Sequence, residues 1–126
     1  MKFKPDLQII KGLLFTYCIE NSRDSEREEL ICSKNVNNEQ ELISLFEILT
    51  KPEFMRYKPD ERRWHIDTLQ YFLEKGDDFE SVFYLFDTYF EDEILNKRKF
   101  MLTLLNCLVT YDAEATATKT GSLNTE

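Results

Sequence analysis

The chain has 126 residues and carries 16 basic against 24 acidic side chains, which gives a formal net charge of -8 at pH 7. A hydrophobic fraction of 42% excludes a wholly disordered chain, and three glycines with three prolines supply little material for a turn-rich β-sandwich. The negative charge repels nucleic acid and anionic membranes, so neither is an expected direct partner. The composition favours one helical domain whose charge either serves solubility alone or attracts a basic partner.

The cysteines and the apolar runs indicate the cellular compartment of the protein. Cys18, Cys32 and Cys107 are widely separated and form no Cys-x-x-Cys pair, which indicates reduced thiols. The N-terminal apolar run is interrupted by polar residues and is followed by no cleavage site, and no run reaches the about 18 apolar residues of a membrane span. We therefore expect a cytoplasmic protein.

The first two predicted helices occupy the N-terminal third of the chain. One runs from about 5 to 20, because a proline at the first helical position and an early aspartate both suit a helix start. The next is a short helix from about 25 to 33, which begins with the capping-box pair Ser25 and Glu28. A short strand at 29 to 33 is the alternative for that segment.

Two further helices are predicted around the connector 52–57. The third helix spans about 39 to 50, starts after Asn38 and ends before Pro52. The fourth runs from Pro59 to a stop at Gly76, a residue that adopts a left-handed cap readily. Its polar arc is narrow, so it is expected near the middle of the bundle.

The segment 77–93 combines the densest aromatic run with seven carboxylates and no basic residue. Its spacing predicts a fifth helix from 77 to about 90. One stripe is apolar and should face the core: Phe79, Val82, Phe83, Phe86 and Phe90. The other stripe and the end of the helix form what we call the acidic-aromatic surface: Asp77, Glu80, Tyr84, Asp87, Glu91, Asp92 and Glu93.

A sixth helix is predicted from about 93 to near Tyr111. Residues 113–126 contain a single large apolar side chain and are expected to form a flexible tail, because they bury too little to offset their ordering entropy. The chain is thus predicted to be all-α, with one helical domain over 1–112. Its helices, about five to six, should form a compact bundle or a short antiparallel stack.

No set of residues for catalysis, for a cofactor or for a metal is recognisable. His65 is the single histidine, so it is expected to be a hydrogen-bonded structural residue rather than a ligand. The chain has no nucleophile elbow and no phosphate-binding loop. Exposed carboxylates stay ionised near neutral pH and make poor general acids. We therefore expect a protein that is not an enzyme.

Two basic clusters, 51–63 and 97–99, are expected to pair with neighbouring acids inside the molecule. A nucleic-acid site is the alternative, and it would require the two clusters to merge into one face. Lys97 to Lys99 follow Glu91 to Glu93 closely in the sequence, which favours pairing between those two runs.

The acidic-aromatic surface is predicted to bind a partner. Its segment lacks the basic residues that normally pair with acids on a solvated helix. Tyr84 lies within it, and tyrosine is enriched at interface hot spots. Acids at the end of a helix oppose the helix dipole and bring no stability of their own. A solvated helix face is the alternative.

A small acidic helical chain with such a face resembles the immunity proteins of bacterial toxin systems, including those of contact-dependent growth inhibition and colicins. The resemblance covers residues 1 to about 112 and consists of size, charge and architecture. It implies tight binding of a basic toxin nuclease domain, whose substrate cleft the acidic face would cover. The alternative is a helical adaptor that docks a host regulatory protein in a groove between the fourth and sixth helices. The oligomeric state stays open.

Overall fold

The computed structural model describes residues 4–18, 25–84, 88, 90 and 92–124, with side chains described as far as residue 117. The helices, in chain order, are α1 Leu7–Leu13, α2 Ser25–Ser33, α3 Glu39–Leu45, α4 Lys51–Phe54, α5 Pro59–Glu74, α6 Glu80–Phe83 and α7 Lys97–Asn124. A 3₁₀ turn, Leu14–Tyr17, follows α1, and a π-helical turn, Phe46–Thr50, joins α3 to α4. The described residues hold no strand ladder, only an isolated antiparallel bridge between Cys18 and Thr88. The all-α prediction is confirmed.

In the first 33 residues the structure confirms both predicted helices, but the first has different limits from those predicted. Asp6 caps α1 by accepting a hydrogen bond of 2.9 Å from the Gln8 N–H. The regular helix therefore starts after the cap rather than at about 5, and beyond Leu13 it tightens into the 3₁₀ turn. The segment from 25 to 33 is helical, so the alternative of a strand there is wrong.

The third predicted helix does not end before Pro52. The helical path continues through the π turn into α4, where the Lys51 N–H bonds to the Phe46 carbonyl. Pro52 follows the π turn directly after Lys51 and has no N–H to donate to the preceding turn, so the helical path passes this residue without that bond. The hydroxyl of Tyr17 donates to the Leu45 carbonyl at 3.2 Å, which satisfies a backbone group at the start of the wide turn.

The fourth predicted helix agrees with α5 at both ends. The Glu61 carboxylate accepts a 3.0 Å bond from the Lys58 N–H ahead of the first turn, and Gly76 follows the last turn with φ of 79°. Among the helices, α5 and α7 make the most extensive contact. Arg62 is nearly buried there and donates to the Asp112 carboxylate at 2.9 Å. The central position predicted for this helix stays a prediction, because α7 contacts α3, α4 and the π turn as well as α5.

The predicted helix from 77 to about 90 is wrong. Among the described residues of this segment the helical ones are those of α6, and the chain leaves α6 at Tyr84 in an extended conformation, with ψ of 125°. The side chains of Asp77 and Asp78 accept bonds from the N–H groups of Phe79 and Glu80, at 2.7 and 3.0 Å. Such turns offer the backbone an alternative to the helix.

The apolar side chains of this segment still reach the core, as predicted. Phe79 and Val82 are buried, and Phe83 and Phe90 each pack a ring against Phe100, at 5.6 and 6.0 Å. Phe86 lies outside the described residues. Burial of these side chains is therefore achieved along a path that is not a regular helix.

The last helix starts later and ends later than predicted. Asn96 precedes α7 and accepts a 3.0 Å bond from the Lys99 N–H, so the helix begins at Lys97 instead of about 93. It continues past Tyr111 to Asn124. Alanines, which have the best helix propensity, and an ion pair of 2.8 Å from Lys51 to Glu114 support this extension. The mobility of 113–126 and the single domain over 1–112 stay predictions.

Candidate functional site

The structure describes five of the seven residues of the acidic-aromatic surface. Asp77 precedes α6, Glu80 begins it, and Tyr84 follows its last residue. Asp92 and Glu93 lie in the connection that leads to α7. Asp87 and Glu91 lie outside the described residues. Because the chain departs from a helix at Tyr84, these residues do not form one helical stripe.

Tyr84 is the most exposed aromatic side chain in the described part of the chain. Its side chain is 69% exposed, while its carbonyl accepts a 3.2 Å bond from the Lys11 ammonium group on α1. The backbone is therefore held against the neighbouring helix while the phenol projects into solvent. An anchored aromatic ring can contact a partner with little further loss of conformational freedom.

Asp77 stabilises the local turn and is also part of the acidic-aromatic surface. Its carboxylate is half-buried and bonds to the Phe79 N–H. Its carbonyl accepts a 2.8 Å bond from the guanidinium of Arg98, which also bonds to the Leu73 carbonyl at 3.0 Å. Arg98 thus joins the start of α7 to the end of α5 and fixes the acidic segment between them.

Glu80 pairs with a basic residue from outside the segment 77–93. The Lys97 ammonium group lies 3.4 Å from the Glu80 carboxylate, whose side chain is 68% exposed, and 5.9 Å from the centre of the Phe83 ring. Lys97 thus pairs with an acid inside the molecule, as predicted, and its described partner is on α6. Glu91 lies outside the described residues, so pairing with the run at 91–93 stays a prediction. An ion pair so exposed stabilises the fold little.

Asp92 and Glu93 form an exposed acidic corner on a fixed backbone. The side-chain amide of Asn37 donates to the Glu93 carbonyl at 2.8 Å and accepts from the Leu95 N–H at 3.0 Å. Asn37 thereby ties the loop before α3 to the connection before α7. Sequence reasoning missed this residue, since an asparagine-rich stretch signals only a loop.

A cavity of about 240 Å³ lies beside the acidic corner. Its wall combines apolar side chains with amides and one ammonium group, and it includes Val36, Asn37, Leu42, Ile94, Lys99 and Phe100. Leu95, at its rim, is 79% exposed. The corner is therefore bordered by apolar as well as acidic surface.

Several basic residues pair within the molecule, as predicted. Lys51 bridges Glu47 at 3.2 Å and Glu114 at 2.8 Å, and these bonds, first that to Glu114, raise its pKa. Arg63 lies 3.6 Å from Asp112 and 3.9 Å from Asp67. Lys51, Arg62 and Arg63 therefore bind α4 and α5 to α7, whereas Arg56 and Lys58 of the same cluster are exposed.

His65 is a structural residue, which confirms the prediction. Its Nδ1 lies 2.7 Å from the Glu61 carbonyl, and its ring stacks on Tyr57 with centroids 4.8 Å apart. Among the described residues, no group of three or more histidine, cysteine or carboxylate side chains is placed to hold a metal ion. None of the helices in that part of the chain is long and apolar enough to cross a membrane.

A groove of about 480 Å³ separates the exposed edges of α5 and α7. Its wall combines apolar side chains with one basic and one acidic group, and it includes Arg63, Ile66, Val109, Asp112, Ala113 and Thr116. This is the place between the fourth and sixth predicted helices where a docking groove was predicted.

The fold and these surfaces define the chain as an all-α protein with an acidic corner and an inter-helical groove. Comparison with known protein families, with characterised proteins and with solved structures finds no match. The functional argument therefore rests on the surfaces described above.

Proposed function

We propose that the chain is an immunity protein that acts in the cytoplasm and neutralises a basic toxin domain of the nuclease class. The contact surface is centred on Tyr84 and includes Glu80 and the corner formed by Asp92 and Glu93. The observation that carries the proposal is the 69% exposure of Tyr84 on an anchored backbone within an acidic segment.

The chemistry of a nuclease cleft complements this surface. Such a cleft is electropositive because it binds phosphates, so carboxylates held on a fixed backbone compete for the same groups. The net charge of -8 accelerates encounter with a basic domain. An aromatic side chain buried at the contact slows dissociation.

The proposal is tested with a charge-reversal variant and a matched control. The proposal requires a secreted protein with a nuclease-like C-terminal domain to be encoded beside this gene, and that purified domain is the probe. Asp92→Lys with Glu93→Lys should raise the Kd by on the order of 100-fold, because two favourable contacts become repulsive. The control, Glu29→Lys with Glu53→Lys, changes the net charge equally at exposed sites on α2 and α4 and should weaken binding far less.

Circular dichroism should show the same helix content in both variants. Equal weakening by the two variants would assign the effect to net charge and remove the corner from the interface. Failure of the wild-type chain to bind and inhibit the probe would overturn the immunity function itself.

The groove between α5 and α7 favours a second candidate, a helical adaptor that docks a host regulatory protein. Val109 lines the groove and is 43% exposed, so a partner helix can reach it without unfolding the chain. Binding there depends on apolar contact, and Val109→Asp should abolish it while the variant at the acidic corner leaves it intact.

A further inference from the structure

Thr103 is a polar residue at a nearly buried position on α7, and its hydroxyl has no hydrogen-bond partner in the described part of the chain. Its exposure is 7%. On the same helix, Thr110 and Thr116 each donate at 3.0 Å to the carbonyl four residues earlier. A buried hydroxyl without such a bond costs folding free energy unless water or a ligand supplies the partner. Thr103 lines the cavity beside the acidic corner, so its partner should come from there.

Two opposite charges line the same cavity. Lys99 precedes Thr103 by one helical turn, so both side chains lie on one face of α7. Glu39, the first residue of α3, belongs to the wall that another helix forms. Both charged side chains are exposed, and within the part of the chain that the structure describes neither forms an ion pair. The cavity therefore presents an ammonium group and a carboxylate that are both available to a ligand.

Apolar side chains form much of the remaining wall, and the volume limits the size of a ligand. Val36, Leu42 and Phe100 line the cavity and are buried. The volume of about 240 Å³ is below the roughly 300 to 1,000 Å³ of pockets for drug-sized molecules. A ligand that matches this wall has one positive group, one negative group and a small apolar body. Free α-amino acids with a branched aliphatic side chain have this chemistry.

We infer that this cavity binds a free aliphatic α-amino acid of about the size of leucine. The Lys99 ammonium group and the Thr103 hydroxyl bind the carboxylate of the ligand, and the Glu39 carboxylate binds its ammonium group. The apolar part of the wall covers its side chain. The inference goes beyond the proposed function, because it requires no nuclease partner.

Titration of the full chain with L-leucine, followed by two-dimensional NMR, tests this site. Saturable shifts should be centred on the backbone amides of Leu42, Lys99 and Thr103. The Kd should be on the order of 1 mM, as expected for a ligand of so few atoms. Isocaproate lacks the ammonium group of leucine, and isoamylamine lacks its carboxylate. Each should bind on the order of 10-fold more weakly than leucine, because one charged hydrogen bond is lost.

Matched variants assign the contacts. Thr103→Val keeps the shape of the side chain and removes a hydroxyl that has no partner within the described chain. It should weaken leucine binding on the order of 10-fold without loss of thermal stability. Thr110→Val is the control on the same helix, since Thr110 lies outside the cavity wall, and it should leave the Kd unchanged. Glu39→Gln and Lys99→Met each remove one charge and should weaken binding to a similar extent as Thr103→Val.

Three results would each overturn the inference. The first is the absence of a saturable shift up to about 20 mM L-leucine. The second is equal binding of leucine, isocaproate and isoamylamine, because the two charges would then not be recognised. The third is leucine binding that is unchanged by Thr103→Val, Glu39→Gln and Lys99→Met, since the ligand would then occupy another place.

Discussion

His65 is enclosed by aromatic rings, and this enclosure couples its protonation to folding. Tyr57 stacks on one face of the imidazole, and Phe54 contacts it edge-on at 5.9 Å. Burial lowers the pKa of His65 below its ordinary value near 6.5, although the bond to the Glu61 carbonyl opposes the shift. The folded state therefore binds a proton at this position less readily than the unfolded state.

The lowered pKa gives a prediction for stability. The contribution of neutral His65 is fully present above about pH 6.5 and is lost as pH falls towards its folded pKa, because the unfolded chain takes up the proton first. His65→Phe removes this titration. Urea unfolding should show that the wild type loses more stability than the variant between about pH 7 and about pH 5. Carboxylates titrate in both proteins, so parallel losses would contradict the assignment.

Local end signals predicted α5 well, but Pro52 did not end the third predicted helix. For α5, Pro59 and Gly76 mark the two ends in the sequence itself, and the helix runs between them. The segment 77–93 has the same periodicity but no comparable end signal after Gly76. Apolar spacing alone does not distinguish a helix from a chain that buries the same rings along an irregular path. The contact of Asn37 with Glu93 joins residues far apart in the sequence, which no local pattern reports.

The π turn between α3 and α4 is bonded at both ends to one phenol from the N-terminal segment. The Tyr17 hydroxyl bonds to the Leu45 carbonyl and lies 2.8 Å from the hydroxyl of the fully buried Thr50. Burial raises the pKa of Tyr17, although the bond to Thr50 opposes this, so the phenol stays protonated as the turn requires. The sequence gives no sign of this turn, because its partner is supplied from outside the helix.

Removal of that hydroxyl should destabilise the fold measurably. Tyr17→Phe keeps the ring but leaves the Leu45 carbonyl and the Thr50 hydroxyl without this buried partner, which should lower the free energy of unfolding by about 1 to 3 kcal/mol. The control is Tyr71→Phe, which removes an exposed 3.3 Å bond from Lys75 and should change little. Urea unfolding of both variants provides the measurement. Equal stabilities would show that the phenol does not support the turn.

At the scale of the whole molecule the formal net charge is negative, and several of the described basic side chains pair with acids on other helices. Lys51, Arg62 and Arg63 all pair with acids on α7 or on their own helix, and Lys97 pairs with Glu80. Lys51 and Arg62 link α4 and α5 to α7, and the unpaired carboxylates contribute to the field that an approaching molecule meets. A net charge of -8 spread over one small domain attracts a basic partner from a distance.

The dependence of partner binding on ionic strength therefore distinguishes the two candidate functions. If the nuclease-like probe binds the Tyr84 surface, its association rate should fall steeply between low salt and about 0.5 M salt, because the Debye length shortens from tens of ångströms to a few. The dissociation rate should change far less, since it depends on contacts already made. A helix in the α5 and α7 groove is held by apolar surface and should bind with nearly constant affinity over the same range. Stopped-flow measurement of both rates on the wild type decides between them, and a salt-independent association rate would move the contact from the acidic surface to the groove.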